Sequence, residues 1–296
     1  MYIRKIFPPL IILIMCMGKS IAVDAQQLLM AMENLPPASV AFQQKEKITS
    51  IPVLYASDFD PEDDGTADES LLKQAVAKKI PDINYKGVAV LDWEEPGFTV
   101  LEKGDAQSVL FQETLKKYLR LLALCKQLRP KANWGYYGIP FTSYWDSAMV
   151  VNTNKQIAPL IQAVDVLLPS LYSYYPQGTP QTNNQAYFAA NASAMAQLAQ
   201  QVKKKWYVFI WHRFHPSNEQ SGLMLIPKAE LAQHLLWMKK AAVQNSMEGF
   251  IWWGADDYYY KTGSAALKRE VGKKSFVKYW NNTITIYGAL IKKQLN

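Results

Sequence analysis

The chain has 296 residues, and its 49% hydrophobic and 12% aromatic content is enough for a sizeable core in one large domain or two small ones. This composition excludes an intrinsically disordered chain. The formal net charge of +7 permits a polyanionic partner but selects no function, because a modest excess of lysine is just as common on a solvated surface.

The amino end has the pattern of a secretory signal peptide. Two basic residues precede a short apolar run over residues 7–17, and small residues follow at 22–25. Cleavage of the lipoprotein type before Cys16 is poorly supported, because the bulky Met15 precedes it. The run is too short for a stable membrane span, and no second hydrophobic span follows it. We therefore expect a cleaved signal peptide over residues 1–25 and a secreted or periplasmic protein without stable membrane insertion.

After a polar lead-in to about residue 49, short apolar runs alternate with stretches of helical spacing. The acidic and turn-rich residues 57–68 predict a loop. Strands are predicted at 51–55, 87–92, 134–137, 164–168, 206–211 and 249–253. Helices are predicted at 70–79, 108–129, 153–163, 184–204, 227–244 and from 264 to about 287.

The alternation of strands and helices predicts a parallel sheet with crossover helices. At this length a closed barrel is favoured over an open doubly wound sheet. A glycine-rich phosphate loop follows none of the predicted strands, which argues against a nucleotide-binding fold. We expect residues 26–296 to form a single α/β domain, a (β/α) TIM-like barrel of parallel strands.

The strand at 87–92 ends in two acids, Asp92 and Glu94. Because a strand alternates its faces, both side chains point the same way. Two neighbouring carboxyls that are partly desolvated repel each other, so that one of them holds a proton near neutral pH, as a sugar hydrolase requires. The alternative is that one acid only caps a following helix. Pro96 and Gly97 follow at once and no amphipathic helix is expected before Ser108, which weakens that alternative.

Barrel enzymes place their chemistry at the carboxyl ends of the strands. Acids and aromatic residues occupy these ends: Asp58, Asp92, Glu94, Tyr136, Tyr137, Tyr172, His212, Trp253, Asp256 and Asp257. Any one of the aromatic residues is more often part of a core than a ligand. Together they indicate a carbohydrate site, because aromatic faces stack on sugar rings and paired acids break glycosidic bonds.

Other chemistries find less support in the sequence. The pair His212 and His215 has no acidic or cysteine ligand nearby in the chain, so we expect no metal and no cofactor. The serine elbow Gly-x-Ser-x-Gly does not occur, and Cys125 lies in an apolar helical run typical of a core thiol. The basic tail at 268–293 has no nucleic-acid motif and is expected to be a solvated helix face.

The sequence resembles the animal and venom hyaluronidases from about Leu71 to Asp257. Four motifs carry this resemblance, in the order of the family: Ile80-Pro81-Asp82 leading to residues 87–95; Leu128-Arg129-Pro130 with residues 134–140; residues 168–172; and residues 249–254 with Asp257.

The resemblance implies a distorted β/α barrel that hydrolyses hyaluronan with retention, using the acetamide of the substrate as nucleophile. Glu94 matches the acid and base of the family, and Asp92 matches the carboxylate that orients the acetamide. Tyr172 matches the tyrosine that bonds the acetamide, and Trp253 the tryptophan that walls the sugar pocket. His212 stands where we align the second active-site tyrosine. Tyr137 and Asp257, which also lie in the motifs, complete the expected substrate-binding set.

The family's disulfide cysteines are missing, and Pro96-Gly97 departs from its motif. The expected partner is a polyanionic glycosaminoglycan, hyaluronan or chondroitin, bound by a monomer that binds no nucleic acid. One alternative is a chitinase-like hydrolase, but the further acids of that class would fall at Val90 and Gly87. Another is a glycan-binding barrel without catalysis, a lectin or adhesin.

Overall fold

The computed structural model describes residues 26–242 and 247–295. The predicted signal peptide therefore lies outside the described residues. Eight strands are described: β1 (Gln27–Ala31), β2 (Thr49–Ser50), β3 (Val53–Tyr55), β4 (Val88–Asp92), β5 (Asn133–Tyr136), β6 (Val166–Leu167), β7 (Lys205–Trp211) and β8 (Met247–Trp253). The helices described are α1 (Pro37–Lys45), α2 (Glu69–Lys79), α3 (Gly97–Lys103), α4 (Val109–Leu128), α5 (Ser147–Gln156), α6 (Ala158–Ala163), α7 (Asn184–Val202), α8 (Lys228–Ala242), α9 (Asp256–Lys261), α10 (Ala265–Val271) and α11 (Phe276–Leu295).

The strands form two parallel ladders, β2-β1-β8-β7-β6 and β3-β4-β5. Backbone hydrogen bonds join them beyond β5 and β6, where the Gly138 N–H donates to Leu168 O at 2.9 Å and the Leu168 N–H donates to Ile139 O at 2.9 Å. At the other side, β2 and β3 are consecutive pieces of one extended segment that is interrupted at residues 51–52. The pairing therefore does not run as one closed ladder, and the barrel is distorted.

Alternate residues of the strands fill the inside of this barrel. Residues from both ladders share one apolar cluster: Leu29, Ile51, Val53, Val88, Val90, Val166, Leu168, Tyr207, Phe209 and Ile251. The residues between them on each strand face outward and pack under the helices in a second, larger cluster. The structure confirms the predicted α/β barrel of parallel strands.

Several element predictions were wrong. The segment expected to be a polar lead-in contains strand β1 and helix α1. The sequence did not reveal β1, because its five residues include none of the β-branched type that favours a strand. α3 begins directly after Pro96, where no helix was expected before residue 108. The single helix predicted at 153–163 is two helices, α5 and α6.

The last predicted helix also divides, at Gly272, whose φ of +56° favours glycine. α11 then continues to Leu295 and buries an apolar face that includes Trp280, Ile284 and Ile291. The basic tail is therefore only half solvated, which corrects the expectation of a solvated face.

Caps and buried groups fix the helices that follow the strands. Ser108 caps α4, because its Oγ accepts the Phe111 N–H at 3.2 Å, and the Asp68 carboxylate accepts two N–H groups at the start of α2. Cys125 is a free, fully buried thiol on α4, as predicted. Over the described residues, every helix is too short or too polar to cross a membrane.

Candidate active site

The inner face of β4 carries the two predicted acids. Val88 and Val90 point into the barrel, and the same alternation turns Asp92 and Glu94 inward at the carboxyl end. Neither acid caps α3, whose N-cap position is held by Pro96 without a side-chain hydrogen bond. The capping alternative therefore does not account for this pair.

Trp93, between the two acids, faces outward and anchors the strand end. Its indole Nε1–H donates to Asp60 at 2.8 Å, and its ring stacks on Tyr118 with 4.8 Å between centroids. The Tyr118 hydroxyl donates to the backbone oxygen of Trp93 at 2.6 Å. These contacts fix the backbone that positions Asp92 and Glu94.

The pKa values of both carboxyls are raised above their ordinary values. Burial raises the pKa of Asp92 well above its ordinary value, and the charge of Glu94 raises it further, with Lys79 opposing. Burial also raises the pKa of Glu94, and the charge of Glu95 adds to this, although part of the Glu94 side chain is exposed. The more exposed Glu94 and the less exposed Asp92 therefore both have a pKa above the ordinary value of a carboxyl.

Aromatic side chains wall this pair. Tyr172 is 4% exposed, and its ring lies 5.9 Å from that of Trp253 at an interplanar angle of 25°. The Tyr137 ring lies 6.1 Å from that of Tyr172, and its hydroxyl donates to Oγ of Ser170 at 3.4 Å. Burial raises the pKa of both tyrosines, and the charge of Glu94 contributes to each shift. The structure thus brings together five of the predicted site residues: Asp92, Glu94, Tyr137, Tyr172 and Trp253.

His212 does not join this group. It is 0% exposed and follows Trp211, the last inward residue of β7, so its side chain lies on the outward face. The indole N–H of Trp252 donates to Nδ1 of His212 at 3.1 Å, which leaves the imidazole proton on Nε2, 3.2 Å from Oδ1 of Asp256. Both ring nitrogens are therefore engaged behind the barrel wall.

The remaining strand-end candidates are bound to partners other than the two acids. Asp257 forms an ion pair with Lys261 at 2.7 Å in the first turn of α9. Asp58 accepts from Lys79 at 2.7 Å and from the backbone N–H of Tyr55 at 2.9 Å. Tyr136 faces outward, and Asp256 binds Arg213 at 2.8 Å in the layer behind the barrel.

The structure adds Tyr55, Trp211 and Tyr259, which the sequence analysis missed. Tyr55 is the ladder partner of Asp92, and its pKa is raised by burial and then by the charge of Asp92. The Tyr259 ring lies 5.9 Å from that of Trp211, and the charge of Glu94 contributes to raising its pKa, after burial and Tyr258. Tyr55 ends the strand predicted at 51–55, so the strand-end rule could have identified it from the sequence.

Trp211 is the most informative of the three. It is 2% exposed, and its ring lies 4.8 Å from that of Trp253 and 5.9 Å from that of Tyr172. Its indole N–H is buried and has no hydrogen-bond partner in the described part of the chain. A buried donor without a partner is costly, and this one lies on a ring that contacts both Trp253 and Tyr172.

Comparison with known proteins gives matches in sequence. A hyaluronidase of Tabanus yao, named Hyaluronidase Tab y 2.0101, is 26% identical over 223 residues, which are 62% of this chain and 61% of that protein. A hyaluronidase of Apis mellifera is 24% identical over 160 residues, which are 50% of this chain and 37% of that protein. The chain thus spans less than two thirds of the length of these relatives. No protein-family model matches the chain.

Solved structures match the fold. Bee venom hyaluronidase in complex with a hyaluronic acid tetramer superposes with a TM-score of 0.55 at 17% identity, over 86% of this chain and 98% of the other. A monoclinic crystal form of bee venom hyaluronidase gives a TM-score of 0.54 at 17% identity, over 86% and 99%. These matches confirm the barrel fold, and with the sequence relatives they confirm the predicted resemblance.

Proposed function

This chain is hyaluronidase-like in sequence and fold, and we propose that it is a glycoside hydrolase that cleaves β-1,4 N-acetylhexosaminide bonds in hyaluronan or chondroitin. The observation that carries the proposal is the pair Asp92 and Glu94 on the inner face of β4, with raised pKa values, inside a wall of aromatic rings. An acid with a raised pKa can supply the proton that a glycosidic oxygen must receive, and the rings supply the stacking surface for a sugar.

In this proposal the reaction is substrate-assisted and proceeds with retention. Glu94 protonates the leaving oxygen and then acts as a base toward water. Asp92 orients the acetamide of the substrate and stabilises the positive charge that develops when its oxygen attacks the anomeric carbon. Because the nucleophile belongs to the substrate, the protein needs no nucleophile, metal or cofactor of its own.

The aromatic residues divide the binding of the sugar between them. We assign the Tyr172 hydroxyl to a hydrogen bond with the acetamide, the Trp253 ring to the wall of the sugar pocket, and the Tyr137 hydroxyl to a hydrogen bond with the sugar. The unpaired N–H of Trp211 is well suited to donate to the acetamide oxygen. The buried environment strengthens each of these hydrogen bonds.

Two further predicted residues keep a part in the proposal. Asp257 is proposed as a contact at the rim, at the start of α9. His212 is proposed as a positioning residue, because its bonds to Trp252 and Asp256 hold the wall from behind.

The organisation of the chain completes the proposal. We propose that residues 1–25 are a signal peptide and that residues 26–296 form one catalytic domain, secreted or periplasmic. The domain is proposed to act as a monomer on a polyanionic glycosaminoglycan.

The alternatives differ in what they require at these positions. Val90, where a chitinase-like site needs an acid, is fully buried in the barrel interior. A lectin needs stacking surfaces but no proton donor, so it leaves the raised pKa of Glu94 without a use.

The test is digestion of hyaluronan, chondroitin and chitin oligomers by the purified protein and by Glu94→Gln, with mass spectrometry of the products. Saturated even-numbered products with a reducing-end N-acetylhexosamine from hyaluronan or chondroitin, absent with the variant, are expected. Cleavage of chitin alone would favour the chitinase-like alternative. Binding of a polymer without any cleavage would replace the hydrolase with a lectin.

A further inference from the structure

We propose that Trp145 and the groove beside it form a remote subsite that binds an uncharged sugar ring of the polymer, several units from the cleaved bond. This inference rests on the proposed function and extends it to the length of chain that the enzyme recognises. It involves only residues outside the acid pair and its aromatic wall.

Trp145 is unusual because it is held in place while it remains exposed. The side chain is 67% exposed on the segment that follows β5. Its ring lies 4.8 Å from that of Tyr144 at 70° and 5.7 Å from that of Tyr175 at 59°. An indole that is held by two neighbouring rings and still leaves most of its surface in water offers a face on which a sugar ring can stack.

Two buried asparagines of α7 fix the segment that carries Trp145. Asn191 accepts the backbone N–H of Ser143 at 3.1 Å and donates to the backbone oxygen of Ser143 at 2.8 Å. Asn184 accepts from the Tyr144 hydroxyl at 2.8 Å and donates to the backbone oxygen of Tyr175 at 2.8 Å. The segment that carries the indole is therefore already ordered, so a ligand that binds there loses little free energy to ordering it.

The groove beside Trp145 selects the class of ligand. It has a volume of about 250 Å³, and none of the side chains that line it carries a charge. Gln181 and Asn183 are exposed at its edge, and the Asn183 amide oxygen accepts the N–H of Ala186 at 2.9 Å, which leaves its amide hydrogens for a ligand. An aromatic face flanked by amides suits an N-acetylhexosamine ring, whereas a uronate would find no cation in this lining.

Aromatic rings connect the groove with the acid pair. From Tyr144 the rings continue to Tyr174 at 6.0 Å, to His215 at 4.9 Å and to Tyr172 at 6.2 Å. Burial raises the pKa of Tyr174 to about 12, and the charges of Glu102 and then Glu94 contribute, which places Tyr174 within electrostatic range of the acid pair. Each of these ring-to-ring distances is comparable to the length of one sugar residue. A polymer bound at the acids therefore reaches Trp145 only if it is several sugar residues long.

The experiment is calorimetric titration of Glu94→Gln, which binds without turnover, with hyaluronan and chitin oligosaccharides of increasing length. In this background we compare Trp145→Ala with Trp145→Phe, which keeps a ring. The control is Ile83→Ala, which removes a side chain that is 63% exposed in the segment before β4, at the amino end of the barrel.

Loss of one stacking contact, worth about 0.5–1.5 kcal/mol, corresponds to an affinity reduced roughly two- to tenfold for long oligosaccharides. We expect this reduction in Trp145→Ala, an intermediate value in Trp145→Phe, no change in Ile83→Ala, and no change in any variant for the shortest oligosaccharide that binds. An equal affinity of Trp145→Ala and its parent at every length would overturn the subsite.

Turnover separates this failure from failure of the proposed function. If Trp145→Ala alone is placed in the active protein, we expect it to cleave polymer and to shift the distribution of product lengths. Cleavage with an unchanged distribution contradicts the subsite and leaves the hydrolase intact. If the unmodified protein cleaves none of these polymers, the proposed function and the subsite that rests on it both fail.

Discussion

The unpaired indole N–H of Trp211 allows a sharp comparison, because Trp252 on the neighbouring strand is equally buried but paired. Trp252 donates to His212 on the outward face, whereas the N–H of Trp211 lies inside the site without a described partner. Replacing either residue by phenylalanine removes the second ring of an indole, so the cost of the cavity is similar in both variants.

The two variants should therefore differ in stability. Trp252→Phe leaves Nδ1 of His212 buried without a donor, which costs about 1–3 kcal/mol of unfolding free energy. Trp211→Phe removes a buried donor that has no described partner, which raises the unfolding free energy by about the same amount. We expect Trp211→Phe to be more stable than Trp252→Phe by about 2–6 kcal/mol, measured by denaturant unfolding.

Activity should rank the variants in the opposite order. If Trp211 donates to the acetamide in the transition state, its loss leaves that oxygen unpaired in a buried site and lowers kcat/KM by roughly 10–100-fold. Trp252→Phe, which touches no substrate in the proposal, should keep kcat within about threefold where it is folded. Full activity in Trp211→Phe together with a large loss of stability would refute the reasoning, because the indole would then be a packing residue only.

Two further predictions concern the acid pair. The pKa of Asp92 is raised on folding, so its contribution to stability is present at low pH and is lost as the pH rises through the raised value. Asp92→Asn should thus gain melting temperature relative to the unmodified protein as the pH increases, while kcat falls by about 10²–10³; a constant difference in melting temperature would contradict the burial of the charge. Glu95 raises the pKa of Glu94, which must be protonated to act, so activity should fall as the pH rises through that value. Glu95→Gln should move this fall to lower pH, and an unshifted pH profile would show that Glu94 does not set it.

The sequence was most informative at the strand that ends in the two acids. The run before Asp92 predicted the strand, its buried environment and the shared face of the two acids, and the structure agrees on each point. Strand β1 has the same length as β4 but was missed, because Gln27–Ala31 contains none of the β-branched residues that favour a strand.

The error at His212 had a different cause. His212 stands where the motifs align the second active-site tyrosine, but such an alignment does not fix which face of the strand a residue occupies. Strand alternation applied to β7 places Tyr207, Phe209 and Trp211 inside and therefore His212 outside. That rule was available from the sequence. The presentation of Trp145 was not, because it depends on Asn184 and Asn191 of α7, which are distant in the chain.

The same alternation explains how the fold supports the site. Trp211 and Trp253 are ladder partners on adjacent strands, and immediately behind them Trp252, His212 and Asp256 form a hydrogen-bonded chain. Burial would raise the pKa of Asp256, but His212 and Arg213 lower it below its ordinary value, so the buried carboxylate stays charged and holds both neighbours. Behind the barrel wall, Trp252, His212 and Asp256 thus satisfy one another within the protein, whereas on the inner face the Trp211 N–H has no partner among the described residues and the two acids have raised pKa values. In the proposed function, substrate binds on the inner face and supplies the acceptor for that N–H.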